Sequence, residues 1–217
     1  MNNMEQLRFN MIEQQIRPWD VLDSNVLDLL KKVKREQFVP AAQRALAFMD
    51  MEIPLGHGSS MWQPKLEARA LQALALGRVD QVLEVGTGSG YLTALLASQA
   101  EHVTSVEIVR DLSDMAARNI EALHIANVTL AVGDAANGWG NQQYDAIILT
   151  GSVPLEPAAF LANLKIGGRM FAVVGEGAAM AASLFTRTAS ETVQRRVLFE
   201  TSVTPLVNAP QPQRFVF

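Results

Sequence analysis

The residues most able to do chemistry form a short glycine run with acidic neighbours. Val82-Leu83-Glu84-Val85-Gly86-Thr87-Gly88-Ser89-Gly90-Tyr91 reads as a strand, a glycine turn and the start of a helix. Glycines at 86, 88 and 90 allow a tight turn and let a ligand approach the main chain, while a helix N-terminus offers unpaired amides. A dinucleotide fingerprint wants its third glycine where this chain has Tyr91, and a tyrosine there obstructs pyrophosphate packing. Glu84 precedes the first glycine by two residues and is expected to aim into the same crevice, where a carboxylate repels a diphosphate and suits an amine. Glu107 falls 19 residues after Gly88, at the end of the next strand, where a carboxylate can take both hydroxyls of a ribose. Asp134 follows Ala131-Val132-Gly133 at a third strand end, placed to meet an adenine. Taken singly, each acid reads more readily as a solvated group or a helix cap. Their shared position at strand C-termini, where open α/β sheets bind ligands, favours a common ligand. Adenine, ribose, a cation and an amino-acid tail without phosphate describe S-adenosyl-L-methionine, well ahead of NAD.

The elements that must position these residues follow from the hydrophobic rhythm. Leu7, Met11, Ile12 and Ile16 recur at helical spacing, as do Val26, Leu27, Leu29, Leu30 and Val33. Asp23 or Ser24 can cap the second of these helices, and Pro40 ends the segment. Residues 51–64, with Pro54, Gly56, Gly58 and Pro64, show neither period and read as a structured loop. Helices are then expected at 66–76, 91–98, 112–123 and 157–164, alternating with strands at 81–85, 102–106, 128–132, 144–149 and 169–174. Strand-rich sequence at 195–203 and 215–217 is expected to finish the sheet, with an antiparallel edge. The fold class is α/β: a doubly wound, mostly parallel, Rossmann-like sheet with an N-terminal helical extension. Residues 1–64 form that extension with its loop and 65–217 the ligand-binding domain, together one compact unit.

Composition excludes several classes. The chain has 217 residues and no cysteine, so it has neither a disulfide framework nor a thiolate metal site or nucleophile. A net charge of −4 argues against a nucleic-acid surface. No apolar run reaches the ~18 residues that span a membrane. Glu5, Arg8 and Glu13 stand where an export signal would be apolar. A soluble cytoplasmic protein without membrane, nucleic-acid or metal partners is expected.

Leu83-Glu84-Val85-Gly86-Thr87-Gly88-Ser89-Gly90-Tyr91-Leu92-Thr93-Ala94 resembles the first motif of the protein-L-isoaspartate O-methyltransferase family, class I methyltransferases that repair isoaspartyl residues in damaged proteins. Arg35-Glu36-Gln37-Phe38-Val39-Pro40 resembles that family's Arg-acid-x-Phe-Val-Pro signature. The segment from Tyr144 to Gly151 with Pro154, and Leu161-x-x-Leu164-Lys165-x-Gly167-Gly168-Arg169, resemble its fourth-strand motif and the turn into its fifth strand. The resemblance implies that Glu84, Gly86, Thr87, Gly88, Ser89 and Gly90 line the methionine end of the cofactor. It places Glu107 on the ribose and Asp134 with Ala135 on the adenine, and it makes an isoaspartyl protein or peptide the substrate. The stretch from Pro54 to Pro64 matches the substrate-side loop, but Ser59-Ser60-Met61-Trp62 replaces the family's Gln-Thr-Ile-Ser. Trp62 therefore occupies the position of the serine usually assigned to the reaction. An indole donates one hydrogen bond and accepts none. It can close the acceptor pocket, reshape it for another acceptor, or turn away while Ser59 or Ser60 supplies the hydroxyl. His57 is a further candidate for orienting the acceptor; His102 and His124 read as structural, and Trp19 and Trp139 as packing residues. Transfer to a carboxylate asks for alignment rather than a base, because that group is ionised at neutral pH. The alternatives are a methyltransferase with another peptide or small-molecule acceptor, and a cofactor-binding protein without catalysis.

Overall fold

The computed structural model describes residues 3–213, so the expected strand at 215–217 lies outside the described residues. Helix α1 (Asn3–Met11) runs into a wider turn (Ile12–Ile16), and α2 (Ser24–Lys32) follows. The Asp23 side chain accepts from the Asn25 amide and caps α2. Lys31 and Lys32 in its last turn suit the negative end of the helix dipole. Short 3-10 segments at Arg17–Trp19, Arg35–Gln37 and Ala41–Leu46 complete the N-terminal region.

Residues 53–61, expected as a loop, form an antiparallel hairpin of β1 (Ile53–Gly56) and β2 (Ser59–Met61). Gly56, His57 and Gly58 all carry positive φ at its turn. Strands this short, with Pro54 and two glycines among nine residues, leave no period to read.

The main domain continues with α3 (Pro64–Leu74), β3 (Gln81–Val85), α4 (Tyr91–Ala97), β4 (His102–Glu107), α5 (Arg110–Ala122), β5 (Val128–Val132), β6 (Tyr144–Leu149), α6 (Ala158–Ala162), β7 (Leu164–Glu176), β8 (Ala179–Ala189) and β9 (Thr192–Glu200). One seven-stranded sheet holds them in the order β5-β4-β3-β6-β7-β8-β9. Strands β3 to β7 pair in parallel, and β8 and β9 add an antiparallel edge. The expected edge strand is therefore present as β9, but the sequence reading missed β8 entirely. Strand β7 also starts five residues earlier than expected, at Leu164, where α6 has already ended.

Alternating side chains divide the core between the two faces of the sheet. Val82, Val103, Ile148, Phe171 and Val173 pack with Met11, Ile12, Leu30 and Phe38 of the N-terminal region and with Leu71, Leu95 and Leu112 of the following helices. Leu83, Val85, Ile147, Leu149 and Met170 pack on the opposite face with Phe160 of α6. The N-terminal region thus shares one continuous apolar cluster with the sheet. From β3 the chain builds outward to β4 and β5, then crosses back to place β6 on the other side of β3. That reversal makes a crevice at the carboxyl ends of β3 and β6, the place where open α/β sheets take ligands.

Candidate functional site

A crevice of about 900 Å³, partly open to solvent, lies at these strand ends. The glycine turn after β3, the β1–β2 hairpin and a C-terminal strap at residues 204–207 all contribute to its lining. The turn is held from both sides: the Gly86 amide donates to the Val106 carbonyl, and the Thr150 hydroxyl lies 2.9 Å from both the Val85 and the Gly86 carbonyl oxygens. Gly86 has φ +95°, and a Cβ there would lie 2.0 Å from the Thr150 hydroxyl oxygen. No other residue type fits that position without moving the wall.

Gly86, Thr87, Gly88 and Ser89 line the crevice, as the sequence suggests. Gly90 does not. It caps α4, where a Cβ would come within 3.1 Å of Ala116 in α5, so a glycine there lets the two helices pack closely. Glu107 faces the crevice from the end of β4 with both carboxylate oxygens anchored: Oε2 accepts from the Gly88 amide at 2.9 Å and Oε1 from the Val109 amide at 3.0 Å. Asp134 and Ala135 line the far end. The Asp134 carboxylate accepts from the Ala136 amide and, across the mouth, from the Asn208 side chain at 2.8 Å.

Glu84 is not among the crevice-lining residues. It is fully buried beneath the turn, where the Thr93 and Ser105 hydroxyls donate to its Oε2 while Oε1 has no partner. Burial pushes its carboxyl up to about 8, against the pull of those two hydroxyls. The Thr87 hydroxyl lies 2.6 Å from that of Ser105, so the network runs up into the glycine turn. His57 also stays outside the crevice, at the exposed hairpin tip, with Nε2 3.2 Å from Asp111 Oδ2.

Ser59, Ser60 and Trp62 all line the hairpin side. The Trp62 indole is buried rather than swung to solvent, its ring edge meeting Phe171 of β7 at 6.1 Å between centroids. Several lining residues were not legible beforehand: Glu67, Tyr91 as a wall residue, Ile108, Thr150 and the strap. Ile108 left a trace, an apolar residue directly after a strand-ending acid, and it is 38% exposed. The strap left none, because its place depends on contacts across more than fifty residues, such as the Leu206 amide on the Ser152 carbonyl.

Glu107 and Asp134 bring carboxylates to the lining, Glu67 being engaged by Arg35 behind the wall, and no lysine or arginine is among the described lining residues. That donor set fits a cationic nucleoside without phosphate and opposes a dinucleotide. Residues 6–211 match the profile of the protein-L-isoaspartate(D-aspartate) O-methyltransferases. The chain belongs to this family. A protein-L-isoaspartate O-methyltransferase 1 of Rhodopseudomonas palustris is 37% identical over 215 residues, covering 95% of this chain and 88% of that protein. A relative from Syntrophus aciditrophicus is 37% identical over 176 residues, 81% of each chain. A structure described as a Plasmodium falciparum protein-L-isoaspartate O-methyltransferase, in complex with S-adenosyl-L-homocysteine, superposes with a TM-score of 0.80 at 21% identity, over 95% of this chain and 99% of that one. That likeness supports the fold. Two family signatures far apart in sequence meet in this protein: Tyr91 of the glycine motif packs edge-on to Phe38 at 5.3 Å and under the Arg35 guanidinium at 5.0 Å.

Proposed function

We propose that this protein transfers the methyl group of S-adenosyl-L-methionine to the α-carboxylate of L-isoaspartyl residues in damaged proteins or peptides. The observation that carries the reading is the crevice itself, to which Glu107 and Asp134 bring carboxylates with no basic side chain among its described lining residues, and whose hairpin side is lined by Ser59 and Ser60. When bound, S-adenosyl-L-methionine would supply an electrophilic methyl group carried on a sulfonium. Glu107, fixed by two amides, would take the ribose hydroxyls, and Asp134, Ala135 and Ile108 would surround the adenine. Gly86, Thr87, Gly88 and Ser89 would receive the amino-acid tail, with Glu84 supporting them from beneath.

The acceptor needs no base, because its carboxylate is ionised at neutral pH. Transfer to one of its oxygens would release the donor as a neutral thioether and would ask no proton acceptor of the chain. The chain's task is to hold that oxygen in line and exclude water. Ser59 or Ser60, whose side chains alternate along β2, would donate to an acceptor oxygen and stand in for a hydroxyl at position 62. The same proposal places the enzyme with cytoplasmic substrates.

The buried Trp62 indole in the wall favours a second reading, a methyltransferase with a different peptide or small-molecule acceptor. Labelled methyl transfer to an isoaspartyl peptide, beside the matching aspartyl peptide, separates the two. Label on the isoaspartyl peptide alone is expected, with kcat/KM falling about tenfold in Ser59→Ala or Ser60→Ala. Cofactor binding without label on that peptide would refute the isoaspartyl reading.

A further inference from the structure

Arg35 joins three parts of the site. It sits on a 3-10 turn of the N-terminal region, 1% exposed. Its Nη1 pairs with Glu67, a crevice-lining carboxylate in the first turn of α3. Its Nη2 donates to the Trp62 main-chain carbonyl at 2.6 Å. Its guanidinium lies over the ring of Tyr91, the first residue of α4. One planar group therefore touches the end of the substrate-side hairpin, the helix after it and the helix that opens from the cofactor turn.

Stability alone is a poor account of this arrangement. Taking both charges of an ion pair out of water costs about as much as their attraction returns, and apolar replacements are often as stable. A guanidinium's distinctive property is a rigid fork that holds two acceptors at a fixed angle. Here those acceptors are a carboxylate in the crevice wall and the peptide group directly after β2, the strand that carries Ser59 and Ser60.

We propose that Arg35, oriented by Glu67, is a positioning residue that fixes the substrate-side hairpin relative to the cofactor helix and so aligns the acceptor carboxylate with the methyl group. The inference rests on the isoaspartyl reading for its kinetic test and is independent of it for its structural one.

The double variant Arg35→Leu/Glu67→Leu removes the pair without leaving a lone buried charge, and Arg35→Lys keeps a charge but removes the fork. Both are compared with the natural full-length protein for kcat and KM on an isoaspartyl peptide, S-adenosylhomocysteine affinity, melting temperature and amide exchange across residues 53–62. In the double variant, kcat is expected to fall about tenfold or more, with faster hairpin exchange, cofactor-product affinity within about twofold and a near-natural melting temperature. Arg35→Lys should fall between the two. Natural kcat and natural hairpin exchange in a folded double variant would overturn the proposal; if that variant does not fold, Arg35→Lys decides by the same readouts. Absence of turnover in the natural protein would count against the isoaspartyl reading alone, and hairpin exchange would then decide the role of Arg35.

Discussion

Glu107 combines two jobs in one carboxylate: it ties the glycine turn to β4 and faces the crevice. Replacing it with alanine removes both anchoring bonds and the proposed ribose contact. Hydrogen bonds to a charged group contribute ~1.5–3 kcal/mol, so Glu107→Ala should weaken S-adenosylmethionine binding by about 10- to 100-fold in calorimetry. Glu84 gives a different signature. Its carboxyl titrates near 8 in the folded protein, raised by burial from an ordinary value of 4.5. Between those values the unfolded chain has released a proton that the folded protein keeps, so the contribution of Glu84 to stability is greatest below about 4.5 and falls as pH rises to 8. Melting temperatures from pH 5 to 9 should therefore decline more steeply for the natural protein than for Glu84→Gln; parallel curves would remove the argument. Glu107 was legible from its spacing after the glycines. The burial of Glu84 was not, because a sequence shows that an acid precedes the turn but not which face of β3 it takes in the three-dimensional sheet.

The hairpin and the strap form two walls of the crevice; the sequence marked the first as a substrate-side loop but not as a pair of strands, and the second escaped it. Strand β8 escaped too, for a related reason. Its residues, Ala179-Met180-Ala181-Ala182-Ser183-Leu184-Phe185, are rich in alanine, which has little strand preference of its own. Pairing with β7 along eight register positions makes it a strand. By contrast β3 and β6, largely apolar and buried between neighbours, were legible to the residue. Two outcomes follow for the walls. Trp62→Ser removes a buried indole edge from Phe171 and should cost about 3–5 kcal/mol in denaturant unfolding, so any gain of activity would appear in a less stable protein. Asn208→Ala frees the strap from Asp134 at an exposed bond and should weaken cofactor affinity only about threefold, leaving the melting temperature nearly unchanged. A loss as large as that for Glu107→Ala would mean that the strap touches the cofactor directly.

The whole molecule depends on its first 64 residues more than an appended extension would. Met11, Ile12, Ile16, Leu30, Phe38 and Trp62 belong to the same apolar cluster as Val82, Leu95 and Phe171, and buried Arg8 pairs with Glu36 inside that region. A chain beginning at residue 65 would expose one face of the sheet to water. It should lose the cooperative thermal transition of the full protein and aggregate, as read by calorimetry and light scattering. A soluble, cooperatively folding fragment would instead make residues 65–217 an independent domain. The α/β class, the parallel order and the ligand end of the sheet were legible because they follow from repeating local patterns. The joining of N-terminal signature, hairpin and strap into the walls of one crevice was not, because each joint is a long-range contact.

The claim that unites these scales is that the crevice directs one methyl group to an isoaspartyl carboxylate. The most direct test offers the natural protein labelled S-adenosylmethionine with an equimolar mixture of three peptides: isoaspartyl, aspartyl, and isoaspartyl with its α-carboxyl amidated. Mass spectrometry then locates the label. Label confined to the free isoaspartyl carboxylate is the predicted result. Equal label on the aspartyl peptide, label on the amidated one, or none on any of the three while the cofactor still binds, would contradict the account.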